Sequence, residues 1–379
     1  MEVKLGDICT FQSGGTPSKG NAEFFNGTIP WITTVALNGG SIGIQDAVDW
    51  ITDEAIAKSA AKVVPANSIM VGTRVGVGKV AINDVEMSTS QDIISLLNID
   101  ENRWDKTYLC KFLQGKSAYL NSRARGATIK GIKIDVLAGL SLEEIPVTEQ
   151  KKIAEIIDKV NRIIVARRQE LQKLDELIKA RFVEMFDLSN CAYKSLGECT
   201  DFVDYRGHTP ELSDEGTIRM INAKSVGKGF FKYVDEFITE KTYESWMHRG
   251  FGYPGDILFV TEGHTFGNTC LIPKDMTKFA LGQRVITIKG RDEIENAFLC
   301  SYMQTDMFWK DINVYRTGGT AQGIRSKDLI KVMVPIPPIE QQKDFVKFVN
   351  QVDKSKAVVQ KSLDESQMLF DSLMQKYFG

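Results

Sequence analysis

EQKKIAEIIDKVNRIIVARRQELQKLDELIKARFVEM, residues Glu149 to Met185, contains neither glycine nor proline and repeats its side chains at intervals of four and three. The series runs Ile153, Ile157, Val160, Ile164, Arg167, Leu171, Leu174, Ile178, Arg181, Met185. Eight of these ten are apolar, enough to draw one hydrophobic stripe along a helix in coiled-coil fashion. At 1.5 Å per residue, such a helix is about 55 Å long. That is too long to lie along one small domain, so it needs a second long helix. The C-terminus supplies one: Phe345, Val349, Val352, Lys356, Val359, Leu363, Ser366, Phe370, Leu373, Tyr377 again hold eight apolar or aromatic positions of ten. Pro146 and Pro338 lie just upstream, where proline is tolerated. Antiparallel pairing within the chain is the preferred reading. The alternatives are a helix packed on its own domain and a coil between chains.

Outward from these helices the chain reads as two copies of one plan, offset by about 190 residues. Leu5-Gly6-Asp7 returns as Leu196-Gly197-Glu198, and Thr16-Pro17 as Thr209-Pro210. Ile51-Thr52-Asp53 returns as Ile238-Thr239-Glu240, and Pro65-Ala66-Asn67 as Pro254-Gly255-Asp256. Leu109-Cys110 with Gln114 matches Leu299-Cys300 with Gln304. Gly126, Thr128, Gly131 and Ile132 match Gly318, Thr320, Gly323 and Ile324. Ile145-Pro146 and Glu149-Gln150 match Ile336-Pro337 and Glu340-Gln341. A period this long means a duplicated domain rather than a solenoid. Each copy opens with short β-type runs separated by glycine-rich turns, among them Ser68 to Val71 and Ile257 to Val260, interrupted by shorter helices near Thr107 to Asn121 and Ala297 to Ile312. The expected fold is α+β: two globular domains, 1–148 and 188–339, and two long antiparallel helices, 149–187 and 340–379, related by an internal pseudo-two-fold repeat.

The bulk numbers narrow the class. The 379 residues are 43% apolar and 25% charged, as in ordinary globular proteins. No run of eighteen apolar residues exists, and the first residues lack a signal-peptide core. The six cysteines sit singly, which suits buried thiols in a reducing cytoplasm. The formal net charge of -2 argues against a surface that grips nucleic acid everywhere, so such binding must rest on local patches or on a partner.

Catalytic motifs are missing. Gly72 to Lys79 (GTRVGVGK) resembles a phosphate loop, but Thr73 stands where a glycine is required and Val80 where a magnesium-holding hydroxyl is required. The three histidines, His208, His248 and His264, all fall in one half, which disfavours a metal or triad site. Cys110 and Cys300 match within apolar helical stretches and read as packing residues. No methyl-donor glycine motif is present.

Two similar domains on a stiff spacer suit a ligand with two sites at fixed separation, as duplex DNA offers. The chain resembles the specificity subunit of Type I restriction–modification systems. The likeness is carried by Leu5-Gly6-Asp7, Gly14-Gly15-Thr16-Pro17, Pro65-Ala66-Asn67-Ser68-Ile69 with Gly78-Lys79, Arg125-Gly126-Ala127-Thr128 with Gly131-Ile132, and Ile145-Pro146 with Glu149-Gln150-Lys151-Lys152-Ile153, each repeated in recognisable form. The resemblance implies two target-recognition domains on double-stranded DNA and no catalysis by this chain. It also implies partners: two modification (methyltransferase) subunits, which would hold S-adenosylmethionine, and restriction (translocase–nuclease) subunits. This chain itself is expected to bind no cofactor, metal or membrane.

The strongest basic stretch holds Arg123, Arg125, Lys130 and Lys133, and its counterpart holds Arg316, Arg325 and Lys327 beside Gln322. These are expected to set register on phosphates. Base reading is expected from residues that differ between copies: Arg74, Lys79 and Gln91 in the first, and Glu262, His264, Asn268, Gln283 and Arg284 in the second. Thr16 and Lys19, and in the second copy Arg206 and His208 of the divergent loop Tyr205-Arg206-Gly207-His208-Thr209-Pro210, complete the set. Two other readings compete: a duplicated scaffold that holds two proteins apart without reading DNA, and an enzyme acting on DNA alone.

Overall fold

The structure, a computed structural model, describes residues 1–126, 130–205, 209–317 and 322–379. It falls into two units, Met1–Arg168 with Gln360–Gly379, and Gln169–Val359. The long helices Val147–Met185 and Ile339–Phe378, of 39 and 40 residues, are each divided between them.

The first unit is a mixed α+β body. Its larger sheet has the strand order Thr10–Ser13, Ile93–Leu97, Ile69–Gly72, Val80–Asn83, Ser41–Ile42. All four residues of Ile69–Gly72 are buried, as a central strand covered on both faces must be. Asn67 just before it takes φ 60°, a left-handed turn that asparagine tolerates better than most residues. A smaller sheet runs Asp49–Ile51, Ile29–Ile32, Met87–Thr89, Val63–Val64. Glu2–Lys4 and Ser141–Glu143 pair antiparallel and bring the two ends of the body together. The helix Lys106–Gly115 packs Leu109, Phe112 and Leu113 into the same core as Ile69, Val71 and Leu96.

The second unit repeats the plan. Ala192–Ser195 pairs with Met333–Ile336. The main sheet runs Thr200–Asp204, Val285–Gly290, Ile257–Val260, Thr269–Leu271, and the smaller one Phe237–Ile238, Ile218–Ile221, Phe279–Leu281. In both units the smaller sheet contains one parallel pairing, Trp31 with Ser88 and Arg219 with Phe279. Thr52 and Thr239 cap matching helices, each accepting the backbone N–H three residues on.

All twenty expected seam positions of the long helices are buried or half-buried. In the second unit the helices pair antiparallel, with Lys356 Nζ 2.7 Å from Asp175 Oδ1, Arg181 over the Phe348 ring, and Phe182 edge-on to Phe345 at 5.4 Å. The first unit pairs Arg168 with Gln367 at 3.3 Å. Each unit also receives the tail of one long helix. Phe378 inserts beside Tyr108 and Phe112 in the first, and Phe182 and Phe186 pack on Phe298 in the second. Truncating a core phenylalanine of this kind costs about 3–5 kcal/mol.

One buried amide in each unit ties the head of a long helix to its body. Gln150 Oε1 accepts the N–H of Asp105, and its Nε2 donates to the carbonyls of Arg103 and Ile145 at 2.8 Å. Gln342 does the same with the N–H of Glu295 and the carbonyls of Glu293 and Pro337. Both are fully buried, and each uses its acceptor and both donor hydrogens. The register of the repeat is corrected accordingly. Gln342, not the exposed Gln341, answers Gln150, and Pro338 answers Pro146, each accepting from the third and fourth N–H beyond it. The second half has a Pro337-Pro338 pair, so the helix starts one residue later than the matched motif suggests. A similar slip occurs at the turn. Gly255, with φ 87° and its N–H bonded to Ile272, is the counterpart of Asn67, not Asp256.

Candidate nucleic-acid interface

Both units build one exposed edge from the same backbone contacts. In the first, the strand Ile69–Gly72 runs into Thr73, whose N–H and hydroxyl both donate to the Asp92 carbonyl at 2.8 and 3.1 Å. Thr73 in turn accepts the N–H of Ile132 at 2.8 Å, which fastens the following loop to the sheet. Arg125 and Gly131 close the neck of that loop with two 2.9 Å backbone hydrogen bonds. A Cβ on Gly131 would stand 3.0 Å from Thr73 O and Arg74 Cγ, so the close approach calls for glycine. In the second unit Thr261 bonds the Arg284 carbonyl twice, at 2.9 and 3.2 Å, and accepts from Ile324 at 2.9 Å. Thr317 and Gly323 close the neck, and Gly323 lies equally close to Thr261 O and Glu262 Cβ.

Side chains on this common frame diverge. Arg74, Arg123, Arg125 and Lys133 line a groove of about 620 Å³ with Gly131, Ile132, Asp135 and Val136. Four of the expected phosphate- and base-contacting cations thus converge, although the chain is net acidic. Such a groove concentrates positive potential and favours a polyanion. The Arg123 guanidinium lies over the Tyr119 ring at 5.1 Å. Lys130 is exposed beside the same loop. Gln91 is exposed next to Asp92, and Asp92 Oδ1 lies 3.9 Å from Arg74 Nη1. Lys79 is exposed, with its alkyl chain against Gly76.

In the second unit Glu262 and Arg284 are exposed and form an ion pair at 3.1 Å. His264 is exposed, and Gln283 and Gln322 are half-buried. Arg316 reaches Asn313 at 3.2 Å, and Arg325 precedes the short helix Ser326–Leu329. Asn268 turns inward and donates to the Val226 carbonyl at 3.0 Å, which suits a loop anchor better than a base contact. Arg206 and His208 lie outside the described residues.

Thr16 and Lys19 do not line the basic groove. Their glycine loop serves packing: a Cβ on Gly14 would meet Thr89 Oγ1 at 2.2 Å and one on Gly15 would meet the Ala60 backbone at 2.1 Å. The Gly72–Lys79 stretch is likewise a tight hairpin turn. Gly76 and Gly78 take φ 72° and 79°, and Gly78 abuts Ser117. Two informative residues escape motif reading. Asp92 stands one place after Gln91 as Arg284 does after Gln283, so the repeat held a signal for it. Lys111 is a buried cation bonded to Asp158 at 2.6 Å, and nothing in its apolar helical run announces that.

No group of three or more His, Cys, Asp or Glu among the described residues is placed to hold a metal. Burial pushes the thiols of Cys9, Cys110 and Cys300 up to about 12 and that of Cys199 up to about 11, which leaves them packing groups rather than nucleophiles. No helix among the described residues is long and apolar enough to cross a membrane.

Residues 1–176 and 194–365 each match the Type I restriction modification DNA specificity domain. The chain belongs to that family. Among members of the family, it is 29% identical over 189 residues to the Type I restriction enzyme EcoR124I/EcoR124II specificity subunit of Escherichia coli, a match covering 48% of this chain and 46% of that one. The chain thus spans about half the length of that relative. It is 22% identical over 378 residues to the MjaVIII specificity subunit of Methanocaldococcus jannaschii, covering 93% of this chain and 85% of that one. In fold it is similar to the crystal structure of the Type-I restriction-modification system S subunit from M. genitalium, with a TM-score of 0.60 at 17% identity, covering 100% of this chain and 96% of that one. These family members are specificity subunits by name, which agrees with the motif resemblance and the α+β duplication.

Proposed function

We propose that this chain reads a split, asymmetric double-stranded DNA target, one half-site per copy, and performs no chemistry itself. One observation carries the reading: two copies hold the same exposed edge with the same backbone bonds and furnish it with different charged side chains. A scaffold indifferent to DNA would have no use for a basic groove at that edge. Residues 1–148 and 188–339 act as the recognition domains, with 149–187 and 340–379 as the spacer that fixes the gap between half-sites.

The net charge of -2 supports an adaptor whose partners supply much of the non-specific grip. Two modification subunits carrying S-adenosylmethionine are the proposed partners, joined by restriction subunits, all in the cytoplasm. Both long helices leave apolar side chains in solvent, including Ile163, Val183, Val358 and Met368. Such exposure suits a helix face that a partner covers.

The test is a gel-shift selection from a randomised duplex library, with and without the modification subunit. The expected result is weak binding by the chain alone and enrichment of a two-part motif once the partner is added. Equal binding to all sequences with the partner present would support the scaffold instead, and methylation or cleavage by the purified chain alone would establish an enzyme.

A further inference from the structure

The edge described above contains one position where the two copies are opposites. Thr73 and Thr261 are equivalent by their paired bonds to the carbonyls of Asp92 and Arg284 and by the N–H they accept from Ile132 and Ile324. That equivalence fixes their neighbours. Arg74 corresponds to Glu262, and Asp92 to Arg284. The first copy therefore carries its cation after the central strand and its carboxylate before the returning strand. The second copy carries the same two charges exchanged. Stability does not explain the arrangement, because three of the four side chains are more than half exposed and exposed ion pairs add little. Packing does not explain it either, because a Cβ on Gly131 would stand 3.0 Å from Arg74 Cγ and one on Gly323 the same 3.0 Å from Glu262 Cβ.

The chemistry of a base pair does explain it. In the major groove guanine offers two acceptors that arginine can grip with two of its guanidinium N–H groups, and the paired cytosine offers an amino group from which a carboxylate can accept a hydrogen bond. An arginine and a carboxylate side by side thus match the two halves of one G·C pair. Exchanging them across the same frame matches the pair turned round. In the second copy the Arg284 Nε–H already donates to Glu262 Oε1 at 3.1 Å, which limits the freedom that the guanidinium has to lose on binding.

We propose that Arg74 with Asp92, and Arg284 with Glu262, each read one G·C base pair, and that the exchange makes the two copies require it in opposite orientations within their own frames. This rests on the reading of the chain as a DNA specificity subunit. The basic groove supports the first assignment, since Arg74 sits on its wall beside Arg123 and Arg125. Phosphate contacts from those two arginines would bring the duplex to Arg74 without choosing its sequence.

The experiment selects from a randomised duplex library with the full chain assembled with its modification subunits. Wild type is compared with the exchange variant Arg74→Glu/Asp92→Arg, with the reciprocal Glu262→Arg/Arg284→Glu, and with Arg74→Gln. Each exchange is expected to invert one G·C pair in one half-site and leave the other half-site unchanged. Arg74→Gln should lower discrimination at that single position by roughly ten- to a hundredfold. An unchanged melting transition controls for folding, and is expected because three of the four side chains are more than half exposed. If the exchange variants retain the wild-type motif, or lose affinity evenly for all sequences, the pairs are not base readers and the proposal falls while the two-part motif of the wild type still stands. If the wild-type assembly itself enriches no motif, the specificity reading falls and takes the proposal with it.

Discussion

Gln150 and Gln342 occupy the same place in the two halves and make the same three hydrogen bonds. Arg74 and Glu262 also occupy the same place, and they carry opposite charge. The first pair faces the interior, where an unsatisfied amide or carbonyl costs about 1–3 kcal/mol and few side chains can replace a glutamine that satisfies three groups at once. The second pair faces solvent, where a reversal of charge is nearly free for the fold. Duplication has therefore kept what holds the backbone and released what faces outward. That is the division of labour expected if, as proposed, the two halves read different half-sites.

Thiol reactivity should separate interior from surface by the widest margin. Cys9, Cys110 and Cys300 are shielded in both copies, with burial holding two matched thiols, Cys110 and Cys300, up to about 12. A thiol held at about 12 offers about a thousandfold less thiolate near neutral pH than one at the ordinary value of 9.0. Near pH 8, half-buried Cys191 should be alkylated well before these three, which should react only as the units unfold. Early labelling of Cys110 without Cys300 would break the equivalence of the two cores.

A buried ion pair separates the copies in the other direction. Lys111 is 4% exposed and leans on Asp158, whereas Ser301 and Asn350 stand at the corresponding places in the second copy. Asp158→Ala should destabilise the first unit by about 3 kcal/mol, the low end for a broken buried pair because Asp158 itself is one-third exposed. Lys111→Ser with Asp158→Asn, which copies the second half, should recover most of that loss. Urea unfolding followed by hydrogen exchange within each unit reads both.

Smaller and symmetric effects are expected from the glutamine ties. Gln150→Ala and Gln342→Ala should each cost about 2 kcal/mol, while Gln341→Ala should stay within about 0.5 kcal/mol. Unequal costs for the first two would mean that the helix heads are not held alike. The smallest effect belongs to the cap of the helix Leu196–Cys199. There the Ser195 hydroxyl and N–H both bond Glu198 and hold its carboxyl below the usual range, whereas Lys4 makes no side-chain cap on Leu5–Ile8. A carboxyl with a lowered value in the folded chain stabilises above about pH 4.5, and that contribution is lost as pH falls through the lowered value. Glu198→Gln should flatten the acid side of the second unit's stability profile, measured by melting between pH 7 and pH 3.

Long-range periodicity made the long helices legible, because a heptad stripe needs only residue type and spacing. The duplication was legible for the same reason, and with it the α+β plan and the pairing of Cys110 with Cys300. Register within the repeat was less so. One extra proline at Pro337-Pro338 and a glycine in place of Asn67 each moved the true correspondence by one residue, and only hydrogen bonds reveal such slips. At the candidate interface the run from Arg123 to Lys133 was visible as a local excess of charge, and the structure brings Arg74 to it from a distant strand. Asn268 looked like a base reader by type and proves to be committed to the Val226 carbonyl. Residue type does not reveal which way a side chain turns. Asp92 gains its interest only from Arg74, 3.9 Å away on another segment, a proximity that sequence spacing does not show.

On the proposed reading, each copy recognises its own half-site independently of the other. This independence is tested most directly by a chain in which residues 1–148 are replaced by 188–339, assembled with its modification subunits and presented with the randomised duplex library. The expected target carries the half-site of the second copy twice, with the gap unchanged. A target that still contains the original first half-site would contradict that reading.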